Sequence, residues 1–418
     1  MIRKKGKHIV YYILRIILTI LGLLILAELV IYFAAPVYDF PSPHPFSGNR
    51  FYNPYEGVDS HQWKKANFHF HTRAWSGLTS GRDNSHDSVY KTYKALGYDI
   101  PGISNYQQID DVFKDSAFYI PSYEHGFGIR KKHQLLIGSK KVLWFDYSLF
   151  QNLGHKQHIL NLLRPDNELI AIAHPDWENG YPLKDMEYLS GYDLIEVLDN
   201  NWRSLPQWDA ALSSGHPVYI VSDDDAHDIY NPYEIGRCCT FINSPTLKQD
   251  DFIRSLKDGR SFGADIYMSN HETFSDKAIN VLKIPVLESV IMNQDTLFVR
   301  VSEKAFRIRF IGQNGAMKKE DYLMKGSWYK FSPDDTYIRT EITFYKNFPD
   351  GHKLPGTRFY LNPVFRYEGN RPSNDLKAEI NLPRTWIFRI LSFGGLFGLI
   401  AFIIYFRLNK TAFQSLKK

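Results

Sequence analysis

The stretch Val218-Tyr-Ile-Val-Ser-Asp-Asp-Asp-Ala-His227 constrains the fold of this chain more than any other. β-favouring and apolar residues run straight into three carboxylates, and an imidazole follows two positions after the last. A buried strand that ends in acids is costly, because an unpaired buried charge costs several kcal/mol. A bound cation offsets that cost, whereas a solvated acidic turn avoids it. Whether other strands end the same way decides between them.

Six other short apolar runs precede this one: Ala66-Asn-Phe-His-Phe-His71, Asp99-Ile-Pro-Gly-Ile-Ser104, Phe118-Tyr-Ile-Pro-Ser-Tyr-Glu124, His133-Gln-Leu-Leu-Ile-Gly138, Leu169-Ile-Ala-Ile-Ala-His174 and Tyr192-Asp-Leu-Ile-Glu-Val-Leu198. Helical patterns lie between several of them, over His86 to Leu96, Lys156 to Leu163 and Ser204 to Ser213. Strands alternating with short helices predict an α/β fold with a parallel sheet covered on its outer face. Seven such units in about 160 residues suit a small barrel spanning residues 63–270. In such a barrel the functional residues gather at the C-terminal ends of the strands. From about Ile279 the pattern becomes alternation without helices, as in Thr296-Leu-Phe-Val-Arg-Val301 and Tyr337-Ile-Arg-Thr-Glu-Ile-Thr-Phe344, which predicts a small β-sandwich over 279–370.

Both ends are apolar. Ile9 to Phe33 and Trp386 to Phe406 are long enough to cross ~30 Å of hydrocarbon at 1.5 Å per residue. They predict a transmembrane anchor in residues 1–35 and a second transmembrane helix over 385–407, with 36–62 as a Pro-rich linker. The first run exceeds the apolar core of a signal peptide, and no small-x-small cleavage site follows it. Basic residues flank the outer side of both runs: Arg3, Lys4, Lys5 and Lys7 before the first, Arg407, Lys410, Lys417 and Lys418 after the second. By the positive-inside rule both termini are cytoplasmic. The expected location is the inner (cytoplasmic) membrane, with the catalytic domain outside the cytoplasm, which is the periplasm if the source is a Gram-negative bacterium. A net charge of +5 over 418 residues, part of it at the termini, gives no basis for nucleic acid binding. Cys238 and Cys239 are adjacent and lack zinc-ligand spacing, so they read as packing residues.

The donors fall into a pattern. His69 and His71 sit two apart on a strand and so share a face, as Asp225 and His227 do. Taken singly, each has an ordinary explanation: a chance His-x-His, a loop carboxylate at Glu124, a satisfied polar residue at His133. Together with His174, five histidines and two carboxylates meet at one barrel mouth, more ligands than a single tetrahedral zinc takes. Two divalent metal ions follow, and nitrogen and oxygen donors without thiolate suit Zn, Mn or Fe.

These residues resemble the polymerase and histidinol phosphatase (PHP) family of metal-dependent phosphoesterases. Asn67-Phe-His-Phe-His-Thr72 resembles its first motif, Tyr123-Glu124 its third-strand acid, His133-Gln-Leu-Leu-Ile-Gly138 its next strand, Ala173-His-Pro175 its His-Pro motif and Ser222-Asp-Asp-Asp-Ala-His227 its closing Asp-x-His. Asp258-Gly-Arg-Ser-Phe262 resembles the helix end that often follows. The resemblance covers about residues 64 to 265. It implies a distorted seven-stranded β/α barrel with two or three divalent metals, and the sandwich resembles a C-terminal domain of some members. One departure stands out: where the family ends its second strand with Thr-Asp-His, this chain has Ser104-Asn105-Tyr106. A further histidine is missing after the first motif, at Arg73-Ala-Trp-Ser-Gly77. Two metals rather than three are therefore expected, with Tyr106 and His86 set aside as replacements.

The activity this implies is hydrolysis of a phosphoester by metal-activated water, with Asp225 or His227 relaying a proton and Arg82 and Arg237 as candidate phosphate clamps. The substrate class is a phosphorylated small molecule or envelope component. A hydrolase of an amide or lactone on the same metals, and a non-catalytic metal-stabilised binding module, are the alternatives.

Overall fold

The computed structural model describes residues 2–415 except Ser80, Arg82, 267–272, Leu282, 348–352, Arg371 and 373–375. The chain divides into two compact units. One comprises Met1–Asp39, Gln151–His158 and Glu379–Lys418. It contains two long helices, Ile2–Phe33 and Leu382–Ser415. Within them Tyr11–Phe33 and Leu382–Arg407 run 23 and 26 residues at mean hydropathies of 2.7 and 2.2, long and apolar enough to cross a membrane. An antiparallel pair, Tyr38–Asp39 with Glu379–Ile380, joins the segments beside these helices, and Arg384 pairs with Asp39 at 2.9 Å.

The second unit, Phe40–Phe150 with Ile159–Ala378, is mixed α/β. Its five-stranded sheet runs in chain order: Ser122–His125, Gln134–Ser139, Asn167–Ile172, Leu194–Leu198 and Tyr219–Ser222. The expectation of a parallel sheet fails for the first three strands, which pair antiparallel. Parallel neighbours need a crossover of a dozen or more residues, and the link from His125 to Gln134 is too short for one. The reversal has a useful consequence: the start of the second strand lies at the same end as the finish of the first and third. The last two pairings are parallel, as alternation with the helices Leu183–Tyr188 and Leu205–Ser213 requires.

The sheet curls. The segment after strand Trp63–Asn67 bridges Phe70 to Ala226, and the segment after Ile100–Pro101 bridges Tyr106 to Glu124. These bridges connect both edges of the five-stranded sheet to the two segments, which themselves pair parallel at Ala66–Ile100.

The strands expected to form a separate sandwich continue the other sheet of this unit. Lys353–Leu361 pairs with Ser261–Asp265, which pairs with Cys238–Asn243, which pairs with Trp63–Asn67. The cause is a shared apolar face: Phe262 lies 5.0 Å from Phe241 and 4.8 Å from Phe359, ring centre to ring centre. One core therefore runs from Phe70 and Val89 to Ile308 and Phe344. Residues 36–62 are not a free linker either. Arg50–Tyr52 pairs with Val364–Tyr367, and buried Tyr55 donates from its hydroxyl to the Ser261 carbonyl at 2.8 Å. The cysteines are both buried and free, as packing residues are.

Candidate metal centre

Six segments deliver donors to the end of the curled sheet where Glu124, His133 and His174 meet. His69 and His71 follow Trp63–Asn67, with ring centres 5.4 Å apart. The Asn67 side chain accepts the His69 backbone N–H at 3.0 Å and fixes the start of this segment. Glu124 is the penultimate residue of the strand Ser122–His125, and His133 immediately precedes the next, reversed one. His174 and Asp225 have left-handed backbones, with φ of +28° and +47°. A non-glycine residue held there costs of order 1–3 kcal/mol, so packing overrides local preference at both donors. The strand-alternation expectation for Asp225 and His227 fails for this reason: the strand stops at Ser222 and the chain turns at Asp225.

The central distances form a set. His69 Nε2 lies 3.2 Å from Glu124 Oε2 and 3.2 Å from Asp225 Oδ1. His71 Nε2 lies 3.3 Å from each of the same two oxygens. Four ligands placed ~2.0–2.1 Å from a tetrahedral centre stand about 3.3 Å apart. Four of the six donor separations thus match the edges of a zinc-sized tetrahedron, and all four donor atoms lie within 4.8 Å of one another. The other oxygen of Glu124 faces a second group: Oε1 pairs closely with His133 Nδ1 and lies 3.3 Å from His174 Nε2. Glu124 bridges the two sets.

The buried polar atoms here are short of partners. His69 Nε2 and Glu124 Oε2 are buried and make no hydrogen bond of good geometry. Among the described residues every ion-pair partner of Glu124 and Asp225 is a histidine. Burial pushes the Glu124 carboxyl up, but the His133 and His69 imidazoles hold it well below the usual range. Burial likewise opposes charge on His69, yet Asp225, Glu196 and Glu124 raise it well above the ordinary imidazole value. Acids and imidazoles that can only share protons with one another, converging with unused lone pairs, fit a divalent cation.

Glu196 is the member that the sequence reading missed. It is fully buried in the strand Leu194–Leu198, accepts from His69 Nδ1 at 2.8 Å and takes the His174 backbone N–H at 2.9 Å. His69, His174 and Glu196 form a third group of converging donors. The available signal was a lone carboxylate inside an apolar run. His227 stands apart: its Nδ1 is 4.0 Å from Asp225 Oδ1, its side chain is part-exposed, and it joins none of the three groups.

The remaining residues fall outside the donor groups. Asp223 and Asp224 are not solvated, since both are fully buried. Asp223 accepts the Phe68 backbone N–H at 2.7 Å. Asp224 accepts those of Gly236, Arg237 and Cys238 at 2.7–2.9 Å. Asn105 accepts the Thr72 N–H at 2.9 Å and donates to Thr72 Oγ1 at 2.8 Å. Tyr106 stacks on His71 at 4.4 Å, and His86 pairs with Asp110 at 2.5 Å. Arg237 donates to the Asn200 carbonyl and faces Asp265; Arg82 lies outside the described residues. A cavity of about 640 Å³ lined by Arg50, Tyr55, Val290 and Tyr367 contains none of the donors.

No protein-family model matches the chain, and no curated protein matches it. A solved two-domain protein from Bacteroides vulgatus, described as containing a predicted PHP-like metal-dependent phosphoesterase, is similar to it at 14% identity and a TM-score of 0.38. That similarity covers 76% of this chain and 100% of the other. The case for a metal centre rests on the donor geometry.

Proposed function

We propose that the chain is a membrane-anchored, extracytoplasmic phosphohydrolase of the PHP type. Two divalent cations (Zn, Mn or Fe) would be held by His69, His71, Glu124, His133, His174 and Asp225, with Glu196 orienting or joining them. The observation that carries this reading is the set of four 3.2–3.3 Å separations between two imidazole nitrogens and two carboxylate oxygens. The bridges from Phe70 to Ala226 and from Tyr106 to Glu124 support closure of a distorted seven-stranded barrel around it. Bound there, the cations would supply hydroxide near neutral pH and offset charge on the phosphoryl oxygens.

The chain's own residues do the rest. Glu196 holds the His69 ring through Nδ1 so that Nε2 faces the donors; such partners are worth 10–100-fold in metal affinity or activity. His227, beside the donors and lowered by burial from its ordinary value, is neutral and able to take a proton from water. Water oxygen bonds to phosphorus, the ester P–O bond breaks, and His227 returns the proton to the departing alcohol oxygen. The apolar helices at both ends anchor the catalytic unit, and that location favours a phosphorylated envelope component or scavenged small molecule as substrate.

The test is turnover of a generic aryl phosphate by the full-length protein in detergent with Mn or Zn. Turnover lost in both His69→Ala and Asp225→Ala supports the proposal. Stoichiometric metal without turnover on any ester, amide or lactone contradicts it and makes the unit a binding module. A reporter fused at residue 200 and found in the cytoplasm overturns the topology.

A further inference from the structure

Single exposed apolar residues are ordinary, but five large ones crowd the loops that hold the donors. Trp75 and Leu78 lie on the loop after His71, with Leu78 89% exposed. Phe127 and Ile129 lie on the loop between Glu124 and His133, and Trp144 follows the next strand; all three are exposed.

These loops sit on the site. A Cβ at Gly126 would come within 2.6 Å of His133 Cδ2, and one at Gly81 within 2.8 Å of the His71 carbonyl oxygen, so both backbones press on candidate ligands. Trp75 donates from Nε1 to the Tyr106 carbonyl at 2.8 Å, and the Tyr106 ring stacks on His71. The Trp75 and Trp144 rings meet edge to face at 5.7 Å. Ile129 donates its N–H to Ser148 at 2.9 Å and Phe127 donates to Asp146 at 3.0 Å, which brings their loop alongside the segment that carries Trp144.

Charge follows the same contour. The loop from Gly126 to Lys132 carries exposed Arg130, half-buried Lys131 and buried Lys132 and no acid of its own, and Arg73 is exposed two residues after His71. Lys131 Nζ lies 4.4 Å over the Trp177 ring, which meets His174 edge to face at 5.0 Å. An anionic head between basic residues, continued by an apolar surface, describes an amphiphile.

We propose that the substrate is a lipid phosphate, whose phosphoryl head enters the metal centre while its hydrocarbon chain lies on the patch of Trp75, Leu78, Phe127, Ile129 and Trp144. This rests on the phosphohydrolase reading for turnover, but its binding arm stands alone. Clustered exposed apolar surface marks lipid, ligand or protein contact, and Arg130 and Lys131, on the loop that carries Phe127 and Ile129, favour an anionic head.

The experiment uses the full-length protein in nanodiscs, with empty discs as the blank. Non-hydrolysable alkylphosphonates from methyl to decyl are titrated by calorimetry, and the matching alkyl phosphates are assayed for turnover. Affinity is expected to rise about threefold to fourfold per methylene until the patch is covered, the factor that corresponds to ~0.8 kcal/mol per buried CH₂. Leu78→Ser with Phe127→Ser is expected to flatten that slope. The slope, being a ratio within one protein, is not moved by general loss of folded material. Affinity independent of chain length, alongside turnover of aryl phosphate, overturns the lipid assignment and leaves the hydrolase standing. A slope that both substitutions leave intact overturns the patch. A slope flattened by them without hydrolysis of any phosphate upholds the lipid site and removes the hydrolase.

Discussion

Asp209 and Glu124 are both buried acids in the same unit, yet they are neutralised in opposite ways. Asp209 receives a bidentate fork from Arg339, Nε to Oδ1 and Nη2 to Oδ2, each at 2.7 Å. Arg339 is itself buried and completes its pairing with Glu341 at 2.6 Å. Among the described residues the ion-pair partners of Glu124 are all imidazoles, some of whose nitrogens find no hydrogen bond. Asp224 represents a third solution, three backbone N–H groups. Where an acid serves only the fold, the chain supplies its counter-charge or its donors. Around Glu124 and Asp225 it supplies imidazoles instead.

The largest effect expected from breaking this contrast is chemical. His69→Ala and Asp225→Ala should take turnover below detection and lower bound metal, read by kinetics and elemental analysis on the same samples. The corresponding break at the paired acid is structural. Arg339→Met leaves Asp209 buried and uncompensated, at a cost of about 3–5 kcal/mol in denaturant unfolding, with metal content per folded chain unchanged.

A smaller effect sharpens the contrast. Glu196→Gln keeps the shape but weakens the hold on His69 Nδ1, and metal affinity should fall 10–100-fold with little change in unfolding midpoint of the metal-free protein. Protons give a further handle. In the metal-free site burial works against charge on His69, His71 and His174, but the neighbouring carboxylates raise all three. Raised histidine values contribute stability that is full below the unfolded value near 6.5 and is lost as pH rises through the folded values. Metal has to displace those protons, so affinity should rise with pH. Calorimetry in two buffers of different ionisation enthalpy should register proton release on binding at pH 7; none would count against the assignment. The smallest effect belongs to the rim. Leu78→Ser should change stability by no more than about 0.5 kcal/mol, as at an exposed site.

Much of the site was legible in the sequence because donors at strand ends leave a periodic trace. His71, Glu124, His133 and His174 were flagged because an apolar run began or stopped at them, and His69 and Asp225 by their two-residue spacing from His71 and His227; the structure brings these six together. Glu196 was not flagged, because it lies within its run and depth along a strand is set by register with neighbours. Strand direction at Gln134–Ser139 was also hidden: it depends on the length of a connection rather than on apolar pattern. The separate sandwich failed for a related reason. Alternation specifies strands but not their partners, and Phe262 and Phe359 join the two regions across a sequence gap that composition cannot bridge. At Asn105 and Tyr106 the sequence departs from the motif it resembles, and the structure places there an amide bonded to Thr72 and a ring on His71.

The central claim is that Glu124 bridges two cation sites. Elemental analysis of the full-length protein and of Glu124→Ala, both equilibrated with Zn or Mn and freed of excess, tests it directly. The account expects about two ions per chain in the native protein and a loss at both sites in the variant. A native value near zero, or a variant that retains both ions, would contradict it.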